Sequence, residues 1–240
     1  MSNSIRWLSH SFFKIETEQG KVLLIDPWIV GNPLCPIKIE DLQKADFVLV
    51  THDHFDHSSN AGEIARNTGA TVVGTPETVA AKLKTGLAMP EGQVIFGGIG
   101  MNIGGTARVE DISITMTQAL HSSETGVPTG YIIKLEDGTT IYHAGDTGIF
   151  KSMELLGELY NIDIALLPIG SCFTMDPLQA ARAVKMIKPK KVIPMHYRTF
   201  PILEQDASRF VSLVKETAPE VEVIALEPGQ EYKYGAVFNI

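Results

Sequence analysis

Cysteine is scarce in this chain. Its two residues, Cys35 and Cys172, lie far apart and in no C-x-x-C arrangement, which argues against a disulfide framework and against a zinc ribbon. A reducing, cytoplasmic setting is therefore expected. The opening segment MSNSIRWLSHSFFKIE has no basic stretch followed by an apolar core, and no apolar run approaches the roughly 18 residues that span a bilayer. Positive charge is also short. Against 28 acidic residues stand 20 Lys and Arg, for a formal net charge of −8, the reverse of the footprint left by proteins that grip phosphate backbones. A small-molecule partner is thus favoured over a nucleic acid. No repeat, low-complexity tract or Gly/Ser linker divides the 240 residues, so residues 1–240 read as a single domain. Hydrophobic content of 44% is ample for its core. The sequence leaves the oligomeric state open.

What is present alternates in texture. SFFKIETEQGKVLLIDP reads as a hairpin turning at Gln19-Gly20, and ADFVLVT as a strand covered on both faces. Asn60 and Glu63 offer a cap-and-return pair for a helix through Asn67, with Gly69 as its stop. TVVGT follows as a strand, then TPETVAAKLKTG as a helix capped by Thr75 and ended by Gly86. From Gln93 to His143 short β-rich runs (QVIFGG, ISITMTQA, GYIIKLE, TTIYHAG) predict an antiparallel sheet. Helical patterns return in IFKSMELLGELY, DPLQAARAVKMIK and LEQDASRFVSLVKE, interleaved with the strands DIALLPI, KKVIPMH and VEVIAL. An α/β fold of two packed sheets with helices outside is the economical reading.

Histidine is concentrated. Of seven in the chain, three fall in THDHFDHS, directly after the apolar run FVLV. His52, His54, Asp56 and His57 make the pattern H-x-H-x-D-H at the end of a buried strand, where α/β folds place ligands. Residues two apart in extended backbone project to the same side, so His52 and His54 can grip one ion. Asp56 and His57 follow where the chain turns, and aim at a second point. Imidazole nitrogen and carboxylate oxygen suit zinc, manganese or iron. A packing explanation for so many polar groups beside an apolar strand would carry a desolvation cost. Four ligands cannot complete two metal shells. Further donors are His121 after ISITMTQAL, Asp146 after TTIYHAG and His196 after KKVIPM, each at a strand end.

HDHFDH, ALH, HAGDT and PMHY, in that order and at strand ends, resemble the metallo-β-lactamase-fold hydrolase superfamily from about Ser9 to Tyr197. LSHSFFKIE, YHAGDTG, LPIGSCFTMDPLQAA and VIPMHY further resemble its branch of small metal-dependent hydrolases, which includes the ascorbate-phosphate lactonase relatives. The resemblance implies a four-layer αβ/βα sandwich of two mixed β-sheets flanked by helices. It also implies two divalent metal ions, zinc first and manganese or iron as alternatives. His52, His54 and His121 would hold one ion, Asp56, His57 and His196 the other, and Asp146 would bridge. Class B β-lactamases of the superfamily usually carry cysteine in the role of Asp146, and the flavodiiron branch has glutamate in place of His54, so neither activity is expected. Glyoxalase II relatives add a C-terminal helical region for which the residues after His196 leave little room.

Such a site lowers the pKa of water held between two ions, and the expected reaction is attack of the bridging hydroxide on a small ester, lactone or phosphoester, anionic ones included. Asp56 and Asp146 are the candidate catalytic carboxylates, Asp56 as metal ligand and as acceptor or orienter of the water proton. A ribonuclease Z-type phosphodiesterase or nuclease is the enzymatic alternative. A non-catalytic metal-binding module is the other, although purely structural sites usually close with four protein ligands. Outside the ligand set, His10 is read as a substrate-facing acid, as a support for a ligand, or as the start of the hairpin. His143 either steadies the loop of Asp146 by a hydrogen bond or is buried structurally. Thr174 in GSCFTM, Tyr197 and Arg198, with Thr199, are candidate pocket residues, Arg198 as partner of an anion. Cys172 is expected as a small buried hydrophobe, and Asp53 to point away from the metals.

Overall fold

The computed structural model describes residues 2–80 and 89–234. The chain opens with β1 (Asn3–Trp7), β2 (Phe13–Glu16) and β3 (Val22–Ile25), then β4 (Phe47–Leu49), α1 (Phe55–Ser58), α2 (Ala61–Thr68), β5 (Thr71–Val73) and α3 (Pro76–Ala80). An antiparallel run follows: β6 (Thr106–Val109), β7 (Ile112–Gln118), β8 (Thr129–Lys134) and β9 (Thr140–His143). The last part alternates as α4 (Met153–Leu159), β10 (Ile164–Pro168), α5 (Pro177–Ile187), β11 (Lys191–Met195), α6 (Ser208–Thr217), β12 (Glu222–Val223) and β13 (Glu231–Tyr234).

Two mixed sheets result, in the orders β13-β1-β2-β3-β4-β5 and β12-β11-β10-β9-β8-β7-β6. In the first, β13 to β3 pair antiparallel and β3 to β5 parallel; in the second, β6 to β9 pair antiparallel and β9 to β12 parallel. Strand β3 shows why they stack. All four of its residues are buried, but side chains alternate between faces: Leu23 and Ile25 join a core shared with Ile114, Tyr131 and Ile133 of the second sheet, whereas Val22 and Leu24 join one with Ile64 and Ala65 of α2. On the far side of the second sheet, Ala180, Val184 and Ile187 of α5 and Phe210 and Val214 of α6 enter the shared core. Helix, sheet, sheet and helix give the expected four layers. No helix among the described residues is long and apolar enough to cross a membrane.

Two expectations change in detail, and a third lies outside the described residues. Gln93–Gly98 forms no strand: Val94 makes only an isolated bridge to Val72, and Phe96, Gly97 and Gly98 turn the chain with positive φ. Asn60 precedes α2 as expected, and Gly69 ends it at φ 78°, but the Asn60 side chain makes no capping bond. Its Oδ1 instead accepts from the amides of Ile29 and Val30 at 2.8 and 3.0 Å, fixing the loop after β3. Gly86, the expected stop of the following helix, lies outside the described residues.

Strand polarity then gathers the chemistry. β1 and β3 run in one direction with β4 parallel to β3, and β7, β9 and β11 run together in the second sheet. The segments leaving their C-terminal ends carry His10, Asp26, His52–His57, His121, Asp146 and His196, which meet along one rim.

Candidate metal centre

Each ligand segment is held by hydrogen bonds that the strands cannot supply. The carbonyl of Thr51 accepts from the Thr129 amide and hydroxyl at 3.0 and 2.9 Å, and tethers the start of the H-x-H-x-D-H loop to the second sheet. His54 precedes α1 in extended backbone, and Asp56 and His57 ride on that short helix. Asp53, between two of the histidines, turns away as expected. It accepts from the Ser123 hydroxyl at 2.6 Å, from the amides of Glu124 and Thr125 at 2.8 Å, and from the Thr125 hydroxyl, so one carboxylate braces the loop that carries His121. Thr147 joins that loop to Asp146, its hydroxyl accepting from the Leu120 amide at 2.9 Å.

Left-handed backbone occurs at His10 (φ 56°), Asp26 (φ 51°) and His196 (φ 57°), a sparsely populated region for residues with side chains. Two loops from different sheets meet there: the His10 carbonyl accepts from the His196 amide and from Trp7 Nε1, both at 2.9 Å. Gly170 lies against the same turn, where an added Cβ would stand 2.1 Å from the His196 carbonyl oxygen and 3.0 Å from its Nδ1. Gly170→Ala should therefore push His196 aside, lowering stability by about 1–3 kcal/mol and weakening metal retention; melting and metal titration of the variant check both.

The seven expected ligands come together. Donor atoms lying within 4.8 Å of one another fall into three groups: His52, His54 and His121; His10, Asp56, His57 and His196; and, spanning the two, His52, His57 and Asp146. Asp146 Oδ2 is 2.9 Å from His196 Nε2, 3.2 Å from His57 Nε2 and 3.7 Å from His121 Nε2. The donor set fits divalent ions on an observation of the fold itself: His57 Nε2 is buried without a well-formed hydrogen bond and aims into the cluster, 3.2 Å from Asp146 Oδ2, a costly condition for a group that no cation completes. The other nitrogen of His57 faces Asp26 Oδ2 at 2.8 Å, the carboxylate–histidine arrangement that fixes a ligand's tautomer.

With protein groups alone, the charges are strongly coupled. Burial opposes a proton on His57, but the carboxylates of Asp146 and Asp26 outweigh it and hold the imidazole well above its ordinary pKa. Burial also favours the neutral acid at Asp146, yet His196 and His57 hold it well below the carboxylate range. Asp56 is held low against the same burial penalty, by the hydrogen bond to His10 and the charge of His57. Burial and then His57 push His52 down. Burial and then His196 push His10 down to about 3, and burial also lowers His121 and His143.

A pH prediction follows for chelator-treated protein. The lowered histidines take up protons in the unfolded chain near pH 6.5 but resist them when folded, so stability is lost as pH falls; His10 alone contributes a loss on the order of 2 kcal/mol by pH 5. The depressed carboxylates Asp56 and Asp146 add to this at lower pH. His57, raised, has the opposite sign, its contribution being complete below pH 6.5 and lost only as pH rises. The Tm should drop between pH 7 and 5, and a flat or rising Tm over that interval would contradict this balance.

A cavity of about 560 Å³ opens over the cluster, lined in part by His54, Asp56, His121, Asp146 and His196. Several residues expected as substrate contacts do not line it. Tyr197 is buried, stacked on Trp7 at 5.1 Å. Arg198 leaves a φ 71° turn toward Glu227, with Nη1 2.6 Å from Oε2, and faces a different hollow beside Asp206. The Thr174 hydroxyl turns to the Met175 carbonyl at 3.4 Å, and its neighbour Phe173 lines the cavity instead. Cys172 is exposed rather than buried, because this loop closes on itself with the Ser171 amide bonded to the Met175 carbonyl. His10 Nε2 sits 3.2 Å from Asp56 Oδ2, and its Nδ1 is 2.6 Å from the Thr199 hydroxyl, so it lies beneath the cluster rather than on the cavity wall. His143 is buried and also bonds the metal loop: Nδ1 accepts from the Gly145 amide at 3.1 Å and Nε2 faces the Ser11 carbonyl at 3.0 Å. Asp26 had no signal beyond a strand end before Pro27, and Thr147 none beyond following Asp146.

Residues 21–197 match the model of the beta-lactamase superfamily domain. A UPF0173 metal-dependent hydrolase of Pyrobaculum islandicum is 50% identical over 228 residues, covering 94% of this chain and 97% of that protein. The chain belongs to the metallo-β-lactamase superfamily, among its metal-dependent hydrolases. Another UPF0173 metal-dependent hydrolase, from Nitratidesulfovibrio vulgaris, is 47% identical over 96% of this chain and 95% of that one. Among solved structures, Igni18, a metallo hydrolase from Ignicoccus hospitalis, superposes with a TM-score of 0.86 at 40% identity, covering 98% of this chain and all of that one. YhfI of Bacillus subtilis, at 14% identity and a TM-score of 0.74, shares the fold. For this superfamily member the two sheets and their helices are the metallo-β-lactamase sandwich, and the enzyme is a metal-dependent hydrolase.

Proposed function

We propose that this hydrolase works with two divalent ions on a small ester or lactone, as one domain over residues 1–240 in the cytoplasm. The observation that carries the reading is the pair of donor groups, His52/His54/His121 and His10/Asp56/His57/His196, with Asp146 between them beneath an open cavity; Asp56, His57 and His196 are the ligands proposed in the second. Zinc is the first candidate, and manganese or iron suit the same nitrogen and oxygen donors. Ions bound there would lower the pKa of water and polarise the substrate carbonyl oxygen.

The chain's own residues supply the rest. Asp56, held ionised and borne on α1 at the cavity wall, has one oxygen for an ion and one for the proton of the attacking water. His10, anchored by Thr199 and facing Asp56 Oδ2, keeps that carboxylate aimed. Asp26 orients His57, and Asp53 fixes the loop of His121. Water adds directly to the carbonyl and the alcohol leaves with a proton, without a covalent enzyme intermediate.

Dialysis against a chelator should remove activity on esters and lactones, and re-addition of two equivalents of zinc or manganese should restore it. Chelator-resistant turnover, or full restoration by one equivalent, would contradict the proposal. Turnover confined to RNA or phosphodiesters would favour the ribonuclease Z-type alternative.

A further inference from the structure

The cavity above the donor cluster is apolar in an uneven way. Its wall includes Phe55, Phe173, Phe200 and Ile202, and three of these are held open to solvent: Phe55 is 62%, Phe173 53% and Ile202 62% exposed. Large apolar side chains gathered at one mouth mark a ligand groove. Two are locked in place. Trp28, almost wholly buried, stacks on Phe200 at 5.6 Å and meets the edge of Phe55 at 5.7 Å, so the aromatic wall has a rigid back. Phe173 is thrust outward by the tight loop in which Ser171 and Cys172 have positive φ.

Positive charge is missing from the same wall. No Lys or Arg lines the cavity among the described residues, and Glu124 adds a carboxylate. Arg198, the nearby cation best placed in sequence, is paired with Glu227 and turned to another hollow. A phosphate or carboxylate remote from the reacting carbonyl would find no Lys or Arg on this wall among the described residues and would face Glu124. A hydrocarbon group would find Phe55, Phe173, Phe200 and Ile202.

We infer that the substrate of this site carries an uncharged apolar acyl or aryl group, seated between the Phe55–Phe200 wall and Phe173, and no phosphate. The inference rests on the proposed ester or lactone hydrolysis and, of the small esters, lactones and phosphoesters expected from the sequence, selects the uncharged ones. Phe173 and Ile202 are then specificity-determining residues.

The metal-loaded full chain, assayed on p-nitrophenyl acetate, butyrate and hexanoate, tests it. The kcat/KM should climb roughly ten-fold for each two added methylenes until the cavity fills, and the p-nitrophenyl monoester of succinate should fall below the butyrate ester. Phe173→Ala and Ile202→Ala change exposed mouth residues, so folding is not at stake; each should lower the hexanoate-to-acetate ratio about four-fold or more. Phe173→Arg should raise succinate relative to butyrate. A flat chain-length series, or bis(p-nitrophenyl) phosphate cleaved faster than the hexanoate ester, overturns the inference alone. Failure of all substrates to turn over in a metal-dependent way defeats the ester-hydrolase reading and this inference with it.

Discussion

Asp146→Ala is expected to purify with at most about one divalent ion per chain and to lose turnover by on the order of a thousand-fold, the loss of several kcal/mol of charge stabilisation. The reason is position. One oxygen of this carboxylate stands within 3.7 Å of imidazole nitrogens from both donor groups, and among the described residues no other acidic side chain joins His52 to His57. Removing it would take away the carboxylate that faces both donor groups, and two cations held there would repel one another with no anion between them. Asp146→Asn keeps the volume and one oxygen acceptor, and should fall between wild type and alanine in metal content. Elemental analysis of folded protein, its fold checked by thermal melting, decides the matter. Two ions per chain in Asp146→Ala would contradict the bridging role.

The second large effect belongs to Asp26, which does not line the cavity over the cluster. Its Oδ1 accepts from the Thr51 amide at 2.8 Å, and its Oδ2 accepts from the Thr51 hydroxyl at 2.7 Å and faces His57 Nδ1 at 2.8 Å, all in a fully buried setting. Asp26→Ala strands three buried donors at about 1–3 kcal/mol each, so a stability loss on the order of 4 kcal/mol is expected. For a chain of this size that corresponds to a Tm lower by roughly 10 °C. Metal affinity should weaken about 10–100-fold as His57 loses its orientation. Asp26→Asn, which still offers an oxygen to Thr51, should recover much of the stability but not the affinity. Equal recovery of both would mean that Asp26 acts only as a structural brace.

Why Asp146 was legible in the sequence and Asp26 was not has a physical explanation. His52, His54, Asp56 and His57 fall within six consecutive positions, and such density beside an apolar strand has no packing rationale. His121, Asp146 and His196 could be paired with them because each ends an apolar run of strand character, and parallel or alternating strands deliver their C-terminal ends to one rim. Asp26 ends a strand too, but Asp-Pro reads equally well as an ordinary turn. Its role depends on a left-handed backbone that aims the side chain back beneath His57. His10 reaches Asp56 because β1 and β4, which are not neighbours in their sheet, deliver their C-terminal loops to the same rim, where the His196 amide of the other sheet holds the His10 carbonyl, a relation without local trace in the chain. Arg198 shows the converse: adjacency to a ligand in sequence suggested the cavity, and the φ 71° turn sent the guanidinium elsewhere. Fold class was readable from alternation of apolar runs and caps, whereas Gln93–Gly98 shows how glycine with positive φ defeats an apolar pattern.

Anomalous scattering at the metal edges, from crystals of the metal-loaded chain, tests the central claim most directly. Two peaks about 3.5–4 Å apart are expected, one within bonding reach of His52, His54 and His121, the other of Asp56, His57 and His196, with Asp146 touching both. A single peak closed by four protein ligands, or ions bound away from these side chains, would contradict the account.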